Sequence, residues 1–170
     1  GSGKTTTLVI KLLILVDKLN KGNYEKGMCI LTHTNVGINI IKKKLGKKGD
    51  ILFNYPNFVG TLQSFIDTYL AIPCYKEKFK KQVILIDDDY SDKYVNVNKL
   101  KWYLEKNNIE LKNVYYDFRK EIFVGTKLKD KNKDSYKSLY SRIEKGILKY
   151  SEAIQLGRIY LVKHPILKKN

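Results

Sequence analysis

The sequence predicts an α/β fold: a parallel sheet whose strands alternate with helices, with a mostly helical subdomain inserted into it. Three observations carry this expectation. The chain opens on Gly1-Ser2-Gly3-Lys4-Thr5-Thr6-Thr7 and passes straight into an apolar helical pattern, the arrangement of a phosphate-binding loop and its helix. Short apolar runs at 28–31 and 57–59 each end in a polar signature and lead into a helical stretch. Beyond Pro73 the composition turns to Lys, Asn, Asp and Tyr and the alternation fades, which marks an insertion.

Each element follows from local chemistry. Residues 5–19 are apolar on nearly every face, so the helix they form is expected to be buried against a sheet. A polar turn at 20–26 contains Gly22 and Asn23, and Met28-Cys29-Ile30-Leu31 reads as a buried parallel strand. Thr34 or Asn35 is placed to cap a helix running to Leu45, with Lys42, Lys43 and Lys44 on its outer faces. After the turn at 46–49 a second strand, 57–59, ends at Gly60-Thr61, and a helix over 62–72 starts at Thr61 and is closed by Pro73. In the insertion, 98–106 reads as a helix, 114–118 as a strand, 127–134 as a solvated loop and 136–148 as a helix. A last helix extends to about Lys163.

The opening loop has a definite chemistry. Gly1, Ser2 and Gly3 are small enough to let successive backbone N–H groups cradle phosphate oxygens. Lys4 reaches the β- and γ-phosphates as a point charge, the Thr5 hydroxyl completes the coordination of a Mg²⁺ ion, and Thr6 lines the same turn. Lys4 and Thr5 are therefore the candidate catalytic residues, and Gly1 through Thr6 the candidate site for ATP. The full spacing G-x-x-x-x-G-K-[ST] calls for a glycine five residues before Gly3, so the chain is expected to begin inside the motif.

Composition narrows the partners. Lys and Arg number 33 against 17 Asp and Glu, a net charge of +16, and such an excess points to a polyanion, of which nucleic acid is the commonest. Hydrophobic residues at 43% fit a folded domain and exclude a disordered tail. Cys29 and Cys74 read as reduced core residues of a cytoplasmic protein, and His33 and His164 stand alone. The longest apolar stretch, 8–16, is broken by Lys11 and closed by Asp17, too short to span a bilayer.

Three signatures now stand in order: Gly-Ser-Gly-Lys-Thr at 1–5, Leu-Thr-His-Thr-Asn at 31–35 and Val-Gly-Thr-Leu-Gln-Ser-Phe at 59–65. Together they resemble the first core domain of UvrD/Rep-type superfamily 1 DNA helicases, over residues 1–73 and more loosely over 146–169. The resemblance implies a RecA-like P-loop NTPase sheet formed by residues 1–73, an inserted basic subdomain at 74–145, and a return to the core at 146–170. It also implies that Thr32, Thr34, Asn35, Gly60, Thr61 and Ser64 lie along the backbone of single-stranded DNA. Hydroxyls, amides and backbone N–H groups hold phosphates without reading sequence, as a translocating motor requires. The same residues suit ordinary helix capping, and the two roles are compatible. His33 stands where relatives carry an aromatic, and Gln63 where they carry His, so the resemblance does not extend to a stacking ring at the first position.

Residues 83–89, Val-Ile-Leu-Ile-Asp-Asp-Asp, imitate a strand that delivers carboxylates to a metal. The family's acidic motif reads Asp-Glu-x-Gln-Asp, and neither its Glu nor its Gln is present. Asp87 and Asp88 are therefore read as a strand end or turn within the insertion, and the acidic motif is expected beyond Asn170. The insertion's lysines at 76, 78, 80, 81, 127, 129, 131 and 133 fit a place beside duplex DNA, and Tyr115, Tyr116, Tyr136 and Tyr140 read as core in preference to base stacking.

The expected function is thus that of part of an ATP-dependent DNA helicase. It would couple ATP hydrolysis to movement on single-stranded and forked DNA, in the 3′ to 5′ direction that the resemblance implies. A second motor domain elsewhere in the protein would supply an arginine finger, and these residues alone would not unwind DNA. Two alternatives stay open: another P-loop NTPase such as a nucleotide kinase, and a non-catalytic nucleic-acid-binding module.

Overall fold

The computed structural model of the chain describes residues 4–22, 27–95, 97–131 and 133–165. The chain divides into two compact units, Gly1–Phe65 and Ile66–Asn170.

In the first unit α1 (Lys4–Asn20) precedes β1 (Cys29–Thr32), α2 (Asn35–Leu45), a 3₁₀ segment (Gly46–Phe53), β2 (Phe58–Thr61) and α3 (Leu62–Ile66). Val9, Leu12 and Val16 recur at helical spacing on one face of α1, and they close a core with Ile41 and Leu45 of α2 and Leu52 of the 3₁₀ segment. The 3₁₀ segment fills the place where the sequence suggested only a turn. Gly46 opens it at φ 56°, in the left-handed region that glycine reaches without strain, and its amide donates to the Lys42 carbonyl.

The second unit begins with a π turn (Asp67–Ala71) and α4 (Ile72–Phe79), followed by β3 (Leu85–Ile86), α5 (Asp88–Tyr94), α6 (Val97–Lys106) and a 3₁₀ turn (Leu111–Asn113). Then come β4 (Tyr115–Asp117), β5 (Ile122–Val124), α7 (Asp134–Glu144), β6 (Ile147–Leu148) and α8 (Tyr150–Lys163). Its core gathers Cys74, Tyr75, Leu100, Val114, Tyr116, Phe123, Leu139, Ile143 and Leu156. Gly157 lets α8 lie close on the π turn, since a Cβ there would meet Ile66 and Leu70 at 3.2 and 3.3 Å.

The expected α/β architecture, a RecA-like P-loop NTPase parallel sheet with an inserted helical subdomain, does not hold. Helix dominates, and among the described residues the strands form only three two-stranded sheets: β1-β2 and β3-β6 parallel, β4-β5 antiparallel. None of these strands exceeds four residues. The apolar run at 83–86 illustrates the cause. Ile84 N and Leu85 N both donate to the single Gly146 carbonyl, at 2.8 and 3.2 Å, so regular pairing begins only at Leu85.

Without a broad sheet, α1 is not covered on every face: Leu8, Ile10, Leu13 and Ile14 are exposed. Cys29 is likewise exposed, not a core residue, while Cys74 is buried as expected. Pro73 does not end the helical run at 62–72. It falls at the start of α4, just after the π turn in which Ile72 N reaches back to the Asp67 carbonyl, where a missing donor is tolerated. The helix expected over 136–148 stops at Glu144. Gly146 adopts φ 78°, and a Cβ there would collide with the backbone at Gln82 to Ile84, so the chain turns into β6 instead.

Candidate nucleic-acid interface

The two strands of the first unit bring its polar motifs together. β1 and β2 run parallel in the register Cys29 to Phe58, Ile30 to Val59, Leu31 to Gly60 and Thr32 to Thr61, so the last residue of each strand stands beside the other. Asn57 fixes the opposite end. Its side chain is buried, accepts from Met28 N at 2.9 Å and donates to the Ile51 carbonyl at 2.9 Å, while Phe58 N donates to the Met28 carbonyl at 2.7 Å. The sequence reading missed this clamp, whose one visible signal was an Asn immediately before an apolar run.

At the carboxyl end, Thr32 Oγ1 donates to the Thr34 carbonyl at 3.0 Å, and Thr34 Oγ1 accepts from Gly37 N at 3.3 Å as the cap of α2. Asn35 is the first residue of α2, with its side chain exposed. Across the pair, Thr61 Oγ1 accepts from Ser64 N at 3.0 Å, and Ser64 Oγ donates to the Thr61 carbonyl at 2.9 Å. Gly60 is buried beneath them: a Cβ there would lie 2.6 Å from the Phe58 ring and 2.7 Å from Ser64 Oγ.

Thr32, Thr34, Asn35, Gly60, Thr61 and Ser64 therefore gather at one end of one strand pair, where two helices begin. At these helix starts Gly37 N and Ser64 N are already held by Thr34 and Thr61. His33 is exposed between them. Thr34 and Thr61 also cap helices, as their residue types allow.

Of the ATP site, Gly1, Ser2 and Gly3 lie outside the described residues. Lys4 and Thr5 open α1, and Thr6 is exposed on its first turn. That first turn carries no acidic residue.

In the second unit Asp87 and Asp88 are caps. Asp87 Oδ1 accepts from Tyr90 N at 2.7 Å to start α5, and Asp88 Oδ1 accepts from Tyr150 N at 2.9 Å at the start of α8. Burial first, then the carboxylates of Asp87, Asp67, Asp88 and Asp89, hold the Tyr150 phenol above its usual range. No group of three or more His, Cys, Asp or Glu is placed to hold a metal ion among the described residues. His164 pairs with Glu77 at 3.1 Å.

The sequence reading also missed a buried charge network. Arg142 and Glu152, 1% and 0% exposed, form a two-pronged ion pair, and Glu152 accepts as well from Tyr116 N at 2.7 Å and Lys149 N at 2.8 Å. Lys149 Nζ donates to the Leu111 carbonyl at 2.9 Å and lies 2.7 Å from Asp92. The spacing of Lys149 and Glu152, helix cap to third helical residue, was the only trace of this network in the sequence.

Compared with protein-family models, curated proteins and solved structures, the chain matches none. Among the described residues no helix is long and apolar enough to cross a membrane.

Proposed function

We propose that this chain carries the nucleotide-binding and strand-gripping residues of an ATP-dependent DNA helicase of the UvrD/Rep type, a motor that translocates on single-stranded DNA. The observation that supports it is the register of β1 and β2, which sets Thr32 against Thr61 and so gathers two motifs about 30 residues apart in sequence at one strand end. Contacts of this kind hold a phosphate backbone without reading bases. The net charge of +16 supplies the attraction.

In this proposal Gly1 to Thr6 bind ATP, with Lys4 on the β- and γ-phosphates and Thr5 on Mg²⁺. Hydrolysis also needs a carboxylate pair and an arginine finger, and the proposal does not give the carboxylate role to Asp87 and Asp88, which cap helices. The substrates are single-stranded and forked DNA.

Two measurements test the proposal. ATP turnover by the full-length protein is expected to rise strongly with single-stranded DNA and to vanish in Lys4→Ala; turnover indifferent to DNA would overturn the motor reading in favour of another phosphoryl transfer. Asn35→Ala is expected to weaken binding of a fluorescein-labelled single strand about three- to tenfold, the worth of one exposed hydrogen bond. Because Asn35 caps no helix, thermal stability is expected to stay within about 0.5 kcal/mol. Strand binding that ignores Lys4→Ala and ATP, in a protein without turnover, would instead favour the non-catalytic module.

A further inference from the structure

The second unit holds a cavity of about 270 Å³ between the β4-β5 hairpin and α7. Tyr116 of β4 and Tyr136 and Tyr140 of α7 form its aromatic side; Tyr136 and Tyr140 stack at 6.0 Å with 23° between planes, and Tyr116 meets Tyr140 edge-on at 5.2 Å. Four charged residues line the same cavity: Glu121, Lys131, Lys137 and Glu144. Lys131 Nζ lies 3.3 Å from Glu121. Lys137, Tyr140 and Glu144 follow at the three- and four-residue spacing that aligns side chains on one helical face.

Burial pushes the Tyr116 and Tyr140 phenols up, which keeps both protonated and able to donate.

This lining selects against charge. An isolated anion would meet two glutamates and an isolated cation two lysines, whereas a neutral ring meets neither penalty. The aromatic walls favour a planar partner, and the phenols among them favour one with polar edges. The volume lies just below the usual range for small-molecule pockets, about 300–1,000 Å³, and so suits one ring system, not a whole nucleotide.

We propose that this cavity takes a single nucleobase. The inference rests on the nucleic-acid reading above, and the base comes from a strand or from a free nucleotide. It adds to the strand-end contacts of the first unit a site that recognises a base by its ring.

The test compares three probes on the full chain by fluorescence anisotropy and competition: a labelled thymidine 15-mer, an abasic strand of equal length, and deoxyadenosine monophosphate. The base-bearing strand is expected to bind about tenfold tighter than the abasic one, the worth of one base–aromatic contact. That gap is expected to close in Tyr140→Ala, to persist in Tyr140→Phe, and to narrow in Lys137→Ala, an exposed substitution that leaves the core intact. If Tyr140→Ala does not fold, the wild-type gap and its response to Lys137→Ala decide. Equal binding of both strands would overturn the base site while leaving the nucleic-acid reading standing. Binding of the monophosphate alone, with the same dependence on Tyr140 or Lys137, would support the base site and remove the strand. Binding of no probe would overturn both.

Discussion

Glu152 shows how much one buried side chain can organise. Its carboxylate receives the Arg142 guanidinium and two backbone N–H groups, tying α7, β4 and the start of α8 together at a site closed to water. Removing one partner of such a pair leaves the other charge uncompensated, at a cost of about 3–5 kcal/mol. Glu152→Ala is therefore expected to lower the free energy of unfolding measured in urea by that amount, while the double variant Glu152→Leu with Arg142→Met recovers most of the loss. A single variant within 1 kcal/mol of wild type would show that water reaches Arg142. The sequence could not disclose this network, because Arg142 lies on a helix whose pattern is otherwise amphipathic and Glu152 resembles any acidic residue in a first turn. Asp87 and Asp88 were legible in part: the sequence marked them as a strand end or turn, and they follow β3 directly, but their roles as helix caps were not foreseen.

Among the elements, β2 and α3 depend most on one small residue. Gly60 sits under the Ser64 hydroxyl and the Phe58 ring, so a methyl group there must push aside either the cap of α3 or an aromatic that meets Phe65 edge-on at 5.5 Å. Gly60→Ala is expected to cost about 1–3 kcal/mol in denaturant unfolding, in the range of overpacked sites, and to weaken single-strand binding along with it. Stability lost without any loss of binding would separate Ser64 from the DNA site. The elements the sequence marked well were those with a cap or a strong period: α1, α2, α6 and α8 fall within a few residues of their expected spans. What the sequence hid depends on partners far along the chain. Strand β5 exists because Ile122 to Val124 find Tyr115 to Asp117 across a tight turn, and β6 because Gly146 turns the chain back along β3. Short apolar runs look alike whether they join a broad sheet or a two-stranded one, which is why an extended sheet was expected and is not seen.

At the scale of the whole molecule, charge and shape would make separable contributions to the proposed nucleic-acid binding. The gathered motif residues Thr32, Thr34, Asn35, Thr61 and Ser64 are uncharged, so their contacts release no counterions and carry no salt dependence. The salt dependence must come from lysines, and α2 offers the nearest exposed set: Lys42, Lys43 and Lys44 in its last turn, with Lys43 about 12 Å along the axis from Asn35. Three lysines at a helix carboxyl end also complement the helix dipole, a role that needs no ligand. The slope distinguishes the two. If about four phosphates of a single strand are neutralised, affinity falls roughly 50-fold between about 50 and 200 mM salt. Lys43→Ala is then expected to weaken binding at low salt and to make the slope shallower by about 0.7, whereas Asn35→Ala lowers affinity by the same factor at every salt concentration. A Lys43→Ala protein with an unchanged slope would leave α2's lysines to the helix dipole, and would move the counterion release to other basic residues of the chain.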